Sequence, residues 1–324
     1  MLVPLRPVHA QADSTYAEKL GFPRGARVII LHVDDAGMSF DSNKGVEEAM
    51  EKGIASSTSV MMPCPWVPGF VHYLKTHPNT DAGLHLTLTS EWKDYRWAPL
   101  SGRSRVPGLV DSEGAMWPEV EDVLKHASAD EVETEMRAQI ERALQMGFKP
   151  THLDSHMGTI FGSTAYIERY IKLGVAYQIP IMFPAGHNTL ITQQLRSLPI
   201  DPAKIKGIGQ MLWNAGLPVL DDLHNLSYNW TLPAGTPPTK ENWRKIRSRQ
   251  YIESFKLLRP GVTMVIMHCT APTEVFQYIS DSGPLREGDL MAMEDPDLRK
   301  YIQQEGIIVT TWRELKQRRD RLGK

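Results

Sequence analysis

The feature that most constrains this chain is a rhythm. Short apolar runs rich in β-formers alternate with amphipathic segments along most of the 324 residues. Strands are predicted at 28–33, 57–62, 82–88, 150–156, 179–183, 262–268 and 307–311, and helices at 43–52, 69–76, 129–146, 165–173, 240–257 and 297–304. The helix at 129–146 has the clearest pattern, with Val132, Met136, Ile140 and Leu144 every four residues and Gly147 as a stop signal. Regular alternation of strand and helix implies parallel strands with crossover helices, in a barrel or a doubly wound sheet. About seven strands in one pass favour closure into a barrel.

Two segments interrupt the rhythm: 89–117, rich in Gly, Pro and Trp, and 200–238, which carries "PAGTPP". Both read as insertions, either lids and substrate walls or plain surface loops. The expected organisation is an N-terminal tail at 1–24 followed by a single barrel domain at 25–324. No repeat, low-complexity tract or composition shift marks a second domain.

A formal net charge of -2 gives no reason to expect nucleic acid or an anionic membrane as partner. A neutral substrate suits this balance. With Cys64 and Cys269 as the two cysteines, there is no disulfide framework and no thiolate zinc site, and each reads as a small buried hydrophobe. No run approaches the roughly 20 apolar residues of a membrane span, so the chain reads as soluble. Its compartment stays open between cytoplasm and export, because Ala10-Gln11-Ala12 resembles a signal-peptidase site while "MLVPLRP" lacks an apolar core.

Four strand ends carry polar side chains that apolar strand bodies do not predict: "HVDDAG", "GLHLTLT", "THLDSHMGT" and "VIMHCTAP". In a parallel α/β fold the carboxyl ends of the strands are where ligands bind, so all four converge. Asp34 and Asp35 are adjacent like charges that need a cation, a hydrogen-bond network or a shared proton. His152, Asp154 and His156 share one face of an extended strand, but the two histidines lie about 13 Å apart at Cα, too far for easy joint ligation of one ion. His156, nearer the strand end, thus joins His85 and one Asp as a two-His, one-carboxylate set suited to a divalent metal. Read singly, these residues also fit helix capping by the aspartates and hydrogen-bonded structural histidines.

The stretches "HVDDAGMSFDSNKGVEEAMEKGIASSTSVMM", "DAGLHLTLT" and "KPTHLDSHMG" resemble the YdjC-like carbohydrate deacetylases, with "VIMHC" as a weaker late match. The resemblance implies a deformed (β/α) barrel of about seven parallel strands. It also implies a metal held by Asp35, His85 and His156, with Asp34 as general base and His268 as general acid. The implied reaction removes an acetyl group from an N-acetylated amino sugar or short oligosaccharide. One divalent ion is expected, zinc first and magnesium as the alternative, and a homodimer is expected because relatives are often dimeric.

Asn43, His152 and Asp154 are candidates for orienting the ligands, and Trp92, Tyr95 and Trp97 for an aromatic wall against a sugar ring. This chain departs from the family pattern in two places: it lacks a His-rich extension after "HLDSH", and it has Met182 where many members carry an Arg. The rival readings are a metal-dependent hydrolase of another amide or an O-acetyl ester, and a carbohydrate-binding barrel without chemistry. A glycoside hydrolase is disfavoured, since adjacent aspartates rarely give the ~5 Å or larger carboxyl separation that chemistry needs.

Overall fold

The computed structural model describes residues 14–194 and 201–323. Seven strands build one curled sheet: β1 (Arg27–Ala36), β2 (Ser57–Val60), β3 (Ala82–Leu86), β4 (Leu153–Ser155), β5 (Asp222–His224), β6 (Gly261–Met267) and β7 (Ile308–Val309). Their order is β4-β3-β2-β1-β6-β5, with β7 beside β1, and the pairings are parallel. The two ends of this sheet are joined across the segment 180–184, where Ile181 bridges Leu153 and Pro184 bridges Leu220. The result is a deformed α/β barrel.

The deformation has a local cause. The strand predicted at 179–183 is reduced to a single bridge at Ile181, with a second at Pro184 just beyond it, because Pro180 within it and Pro184 after it have no N–H to give a ladder. Conversely, β5 lies inside the segment 200–238, together with a helix at Pro202–Asn214. Three residues, Asp222 to His224, preceded by a further aspartate at 221, offer no apolar alternation by which to recognise a strand.

Alternation along each strand divides the side chains between two cores. Outward, Ile29, Leu31 and Val33 of β1, Leu84 and Leu86 of β3, and Val265 and Met267 of β6 pack beneath the helices. Inward, Val28, Ile30, Val262, Met264 and Ile266 fill the barrel together with Leu223 and Met182. Leu20, Phe22, Trp312 and Leu315 belong to the same inner cluster and line its floor. A short helix at Tyr16–Lys19 is fastened there, its first N–H groups donated to the Asp221 carboxylate at 2.9 and 3.1 Å. The Ala10-Gln11-Ala12 motif lies outside the described residues.

The helix at Ala129–Gln145 starts on a capping box of Ser128 and Glu131. Val132, Met136 and Ile140 are buried, whereas Leu144 is exposed. Its buried polar face serves the site: Gln139 exchanges hydrogen bonds with the backbone of Thr87, just past β3, at 3.0 and 2.7 Å. That clamp fixes the strand end on which His85 sits. Among the described residues, no helix is long and apolar enough to cross a membrane.

Candidate active site

A regular strand points successive residues to opposite faces, so adjacent carboxylates could not both enter the barrel. Here β1 breaks its own alternation. Asp35 has φ 68°, and the pairing with β2 shifts register between Val33 and Ala36. Aspartate tolerates this left-handed conformation better than most residues, and Gly37, at φ 82°, completes the turn. The Gly37 N–H is donated to Asn43 at 2.7 Å, and the Asn43 amide donates to the Trp66 carbonyl. Asn43 therefore braces the turn two residues from Asp35.

The Oδ1 of Asp35 lies 3.5 Å from His85 Nε2 and 3.5 Å from His156 Nδ1. The second nitrogen of each imidazole faces another carboxylate: His85 Nδ1 is 2.7 Å from Asp154, and His156 Nε2 is 3.0 Å from Glu91. Carboxylates behind histidines are how proteins orient metal ligands. Asp35 Oδ1 is buried without a hydrogen-bond partner, a costly state for a carboxylate oxygen unless a cation completes it. With donor atoms of all three residues within 4.8 Å of one another, the set fits one divalent ion through two nitrogens and one oxygen.

The remaining oxygen of Asp35 is held by Arg286, whose Nη1 stands 2.6 Å from Oδ2. Burial alone would raise the Asp35 pKa, but Arg286, then His268 and His156, hold it well below the usual carboxylate range. Asp35 is thus ionised and aimed. Burial likewise opposes charge on His156, yet Glu91 and Asp35 overcome it and raise its pKa to about 10.

Asp34 is fixed from below. His32, two residues earlier on the same inward face, places Nε2 3.0 Å from Asp34 Oδ1 and 2.9 Å from Asp154 Oδ2. Burial lowers the His32 pKa, but hydrogen bonds to Asp154 and Asp34 prevail and raise it to about 9. The His32 imidazole thus stands between the two aspartates. Oδ2 of Asp34 points the other way, 3.8 Å from His85 Nε2 and 3.5 Å from the Tyr228 hydroxyl.

His268 follows β6, with its backbone N–H donated to Asp289 at 3.2 Å. Asp289 is itself fixed by Tyr251 and by a fully buried ion pair with Arg247. The imidazole faces the centre: Nε2 is 3.7 Å from Asp35 Oδ2 and 3.5 Å from the Tyr228 hydroxyl. Burial, then Arg286, pushes its pKa down to about 4.

Sequence reasoning named Asp34, Asp35, His85, Asp154, His156 and His268, and the structure brings these six together. His152 lies deeper, stacked on Trp312 with ring centroids 5.1 Å apart, in a space that exists because Gly83 has no Cβ to strike its ring. Trp92 lines the cavity, 6.3 Å from the His156 ring. Trp97 is instead buried in a cluster with Met38, Met61 and Met116, and its indole N–H is donated to the Thr89 carbonyl. Tyr95 packs beside it and donates its hydroxyl to Met38. The predicted aromatic wall is thus Trp92, with Tyr95 and Trp97 as its support.

Arg286, Tyr228, Glu91 and His32 escaped the sequence reading. His32 had a usable signal, since alternation puts it on the face of Asp34. The other three stand on a helix, a turn and a loop where no strand period marks them.

A deformed α/β barrel with an Asp-His-His donor set and a second aspartate at its strand ends is the class that fold and site define. The chain belongs to the YdjC-like family, whose model, described as YdjC-like protein, matches residues 28–304. It is similar to a carbohydrate deacetylase of Thermus thermophilus, with 31% identity over 93% of this chain and 97% of that protein. A carbohydrate deacetylase of Thermoanaerobacter pseudethanolicus is 27% identical, over 90% of this chain and 100% of that protein. Among solved structures, an Enterococcus faecalis protein proposed to cleave cellobiose-phosphate superposes with a TM-score of 0.70 at 20% identity, over 90% of this chain and 99% of that one. That likeness is one of fold.

Proposed function

We propose that this protein removes the acetyl group from an N-acetylated amino sugar or short oligosaccharide, with one divalent metal ion, zinc in the first instance. The observation that carries this reading is the buried Asp35-His85-His156 set with Asp34 beside it. The named relatives support the reaction class. Held by those three residues, a divalent ion would supply Lewis-acid polarisation of the acyl carbonyl and a lowered pKa for water.

The chain's own groups do the rest. Asp34 is anchored through Oδ1 by His32, so Oδ2 is the oxygen that accepts a proton from the attacking water. Attack forms a C–O bond to the acyl carbon. As the C–N bond breaks, the leaving nitrogen must gain a proton, because an amide anion is a very poor leaving group. His268 is the group placed to deliver it. Being neutral at rest, it must first receive one. The Tyr228 hydroxyl, 3.5 Å from both Asp34 Oδ2 and His268 Nε2, lies between donor and recipient and carries the proton across. The products are acetate and a free amino sugar.

The test is acetate release from N-acetylglucosamine, N-acetylgalactosamine, diacetylchitobiose and O-acetylated sugars, with chelated and metal-restored protein in parallel. Metal-dependent acetate from an N-acetyl sugar supports the proposal. Release confined to the O-acetyl compounds replaces it with an esterase, and release unchanged by chelation defeats the metal.

A further inference from the structure

The strand ends open into one cavity of about 810 Å³ that takes in both the donor set and the space beside it. Its walls differ by side. Towards β1, β3 and β4 they carry Asp34, His85 and His156; towards β5, β6 and the segment 180–184 they carry the apolar group Phe161, Met182, Phe183, Leu223 and Ile266, together with Asn188, Asn225, Tyr228 and His268 from the segments that follow. Ile266 precedes His268 by two residues on the inward face of β6, so the apolar wall begins about 7 Å below the proposed acid. It then runs into the inner cluster of the barrel, to which Met182, Leu223 and Ile266 belong.

This is not a general property of the barrel interior. On the opposite side the same interior accommodates polar groups: His32 is hydrogen-bonded to Ser57 and Ser59, and His152 Nδ1 to Thr151. Among Phe161, Met182, Phe183, Leu223 and Ile266 themselves a sugar hydroxyl has nothing to bond with and would lose hydration without compensation. An alkyl or aryl group would gain about fourfold in kcat/KM for each methylene buried.

We infer that the substrate is amphiphilic: an N-acylated amino sugar whose apolar group, an acyl chain longer than acetyl or an apolar aglycone, occupies the chamber formed by Phe161, Met182, Phe183, Leu223 and Ile266. The inference rests on the N-acyl hydrolysis proposed above.

Two series of substrates separate the sources, each used below its critical micelle concentration with zinc-loaded full-length protein. One carries N-acetyl, N-butyryl, N-hexanoyl and N-octanoyl groups on glucosamine; the other carries methyl, butyl and octyl aglycones on N-acetylglucosamine. Amine release is the readout. A rise in kcat/KM of about 100-fold over three to four added methylenes is expected in one series, and the series that rises identifies the group. Flat or falling values in both series, with N-acetylglucosamine still hydrolysed, overturn the inference and leave the deacetylase standing.

If no amine forms from any substrate, calorimetric binding of octyl against methyl N-acetylglucosaminide and of N-octanoyl- against N-acetylglucosamine decides the chamber independently of turnover: tighter binding of either long-chain compound supports it, and equal binding in both pairs overturns it. Leu223→Asn should lower the long-to-short kcat/KM ratio tenfold or more. Phe161→Ala provides the same test if Leu223→Asn fails to fold. An unchanged ratio in folded protein removes the chamber from substrate recognition.

Discussion

Arg286 holds one oxygen of Asp35 at 2.6 Å and leaves the other to His85 and His156. The two residues lie 251 positions apart, yet together they decide which lone pairs of the carboxylate face the donor set. Removal of the guanidinium in Arg286→Ala frees Asp35 to rotate and raises its pKa. A loss of about 10–100-fold in kcat/KM or in metal affinity is expected, as for other residues that orient a ligand. Wild-type values for both would reduce Arg286 to a structural ion pair.

Asp34 and Asp35 are neighbours with separate tasks, and substitution should divide them. Asp34→Asn is expected to lower kcat by about 10²–10⁴ while metal content, measured by atomic emission, stays near that of the wild type. His85→Ala and His156→Ala are expected to lose the metal. Metal lost from Asp34→Asn would move Asp34 into the ligand set, and stoichiometric metal in either histidine variant would take that histidine out.

Tyr228 touches both proposed proton carriers, so Tyr228→Phe should slow turnover without changing metal content. Removing the hydroxyl interrupts transfer to His268 while leaving the ring in place. If His268 is fed through Tyr228, His268→Ala and the double variant should show similar rates. Independent, multiplicative losses would separate the two residues.

His224 on β5 provides a pH test away from the site. It is buried, with Nε2 2.8 Å from Ser254, and burial lowers its pKa to about 4. The unfolded chain binds that proton near pH 6.5, so stability is complete above about pH 6.5 and falls as the pH drops towards 4, by about 3 kcal/mol in total. Urea unfolding of wild type and His224→Gln should therefore diverge across this window, with the wild type losing more. Parallel pH profiles would show that His224 does not contribute.

The barrel and the polar strand ends were legible because their signals are local. Two-residue alternation in "HLDSH" and "GLHLTLT", or the apolar body of "VIIL" before its aspartates, is a property of five to ten consecutive residues. Backbone geometry turns that pattern into a face whatever surrounds it. The family motifs lie in these same stretches.

What the sequence by itself determined is this local part: parallel strands, the converging ends, and the aspartates and histidines they bring together. Tertiary structure decided the rest. The left-handed turn at Asp35 puts two adjacent carboxylates in one pocket against the strand period, and its conformation is upheld by Asn43 and Arg286 from elsewhere in the chain. Arg286 and Tyr228 reach the site from a helix and a turn far along the chain, and β5 is too short to carry a pattern of its own. The apolar half of the cavity forms where Phe161, Met182, Leu223 and Ile266 meet across four separate segments. Contacts between distant residues exist only once the barrel has closed, because the free energy of burying them is a property of the assembled interior and not of any one segment.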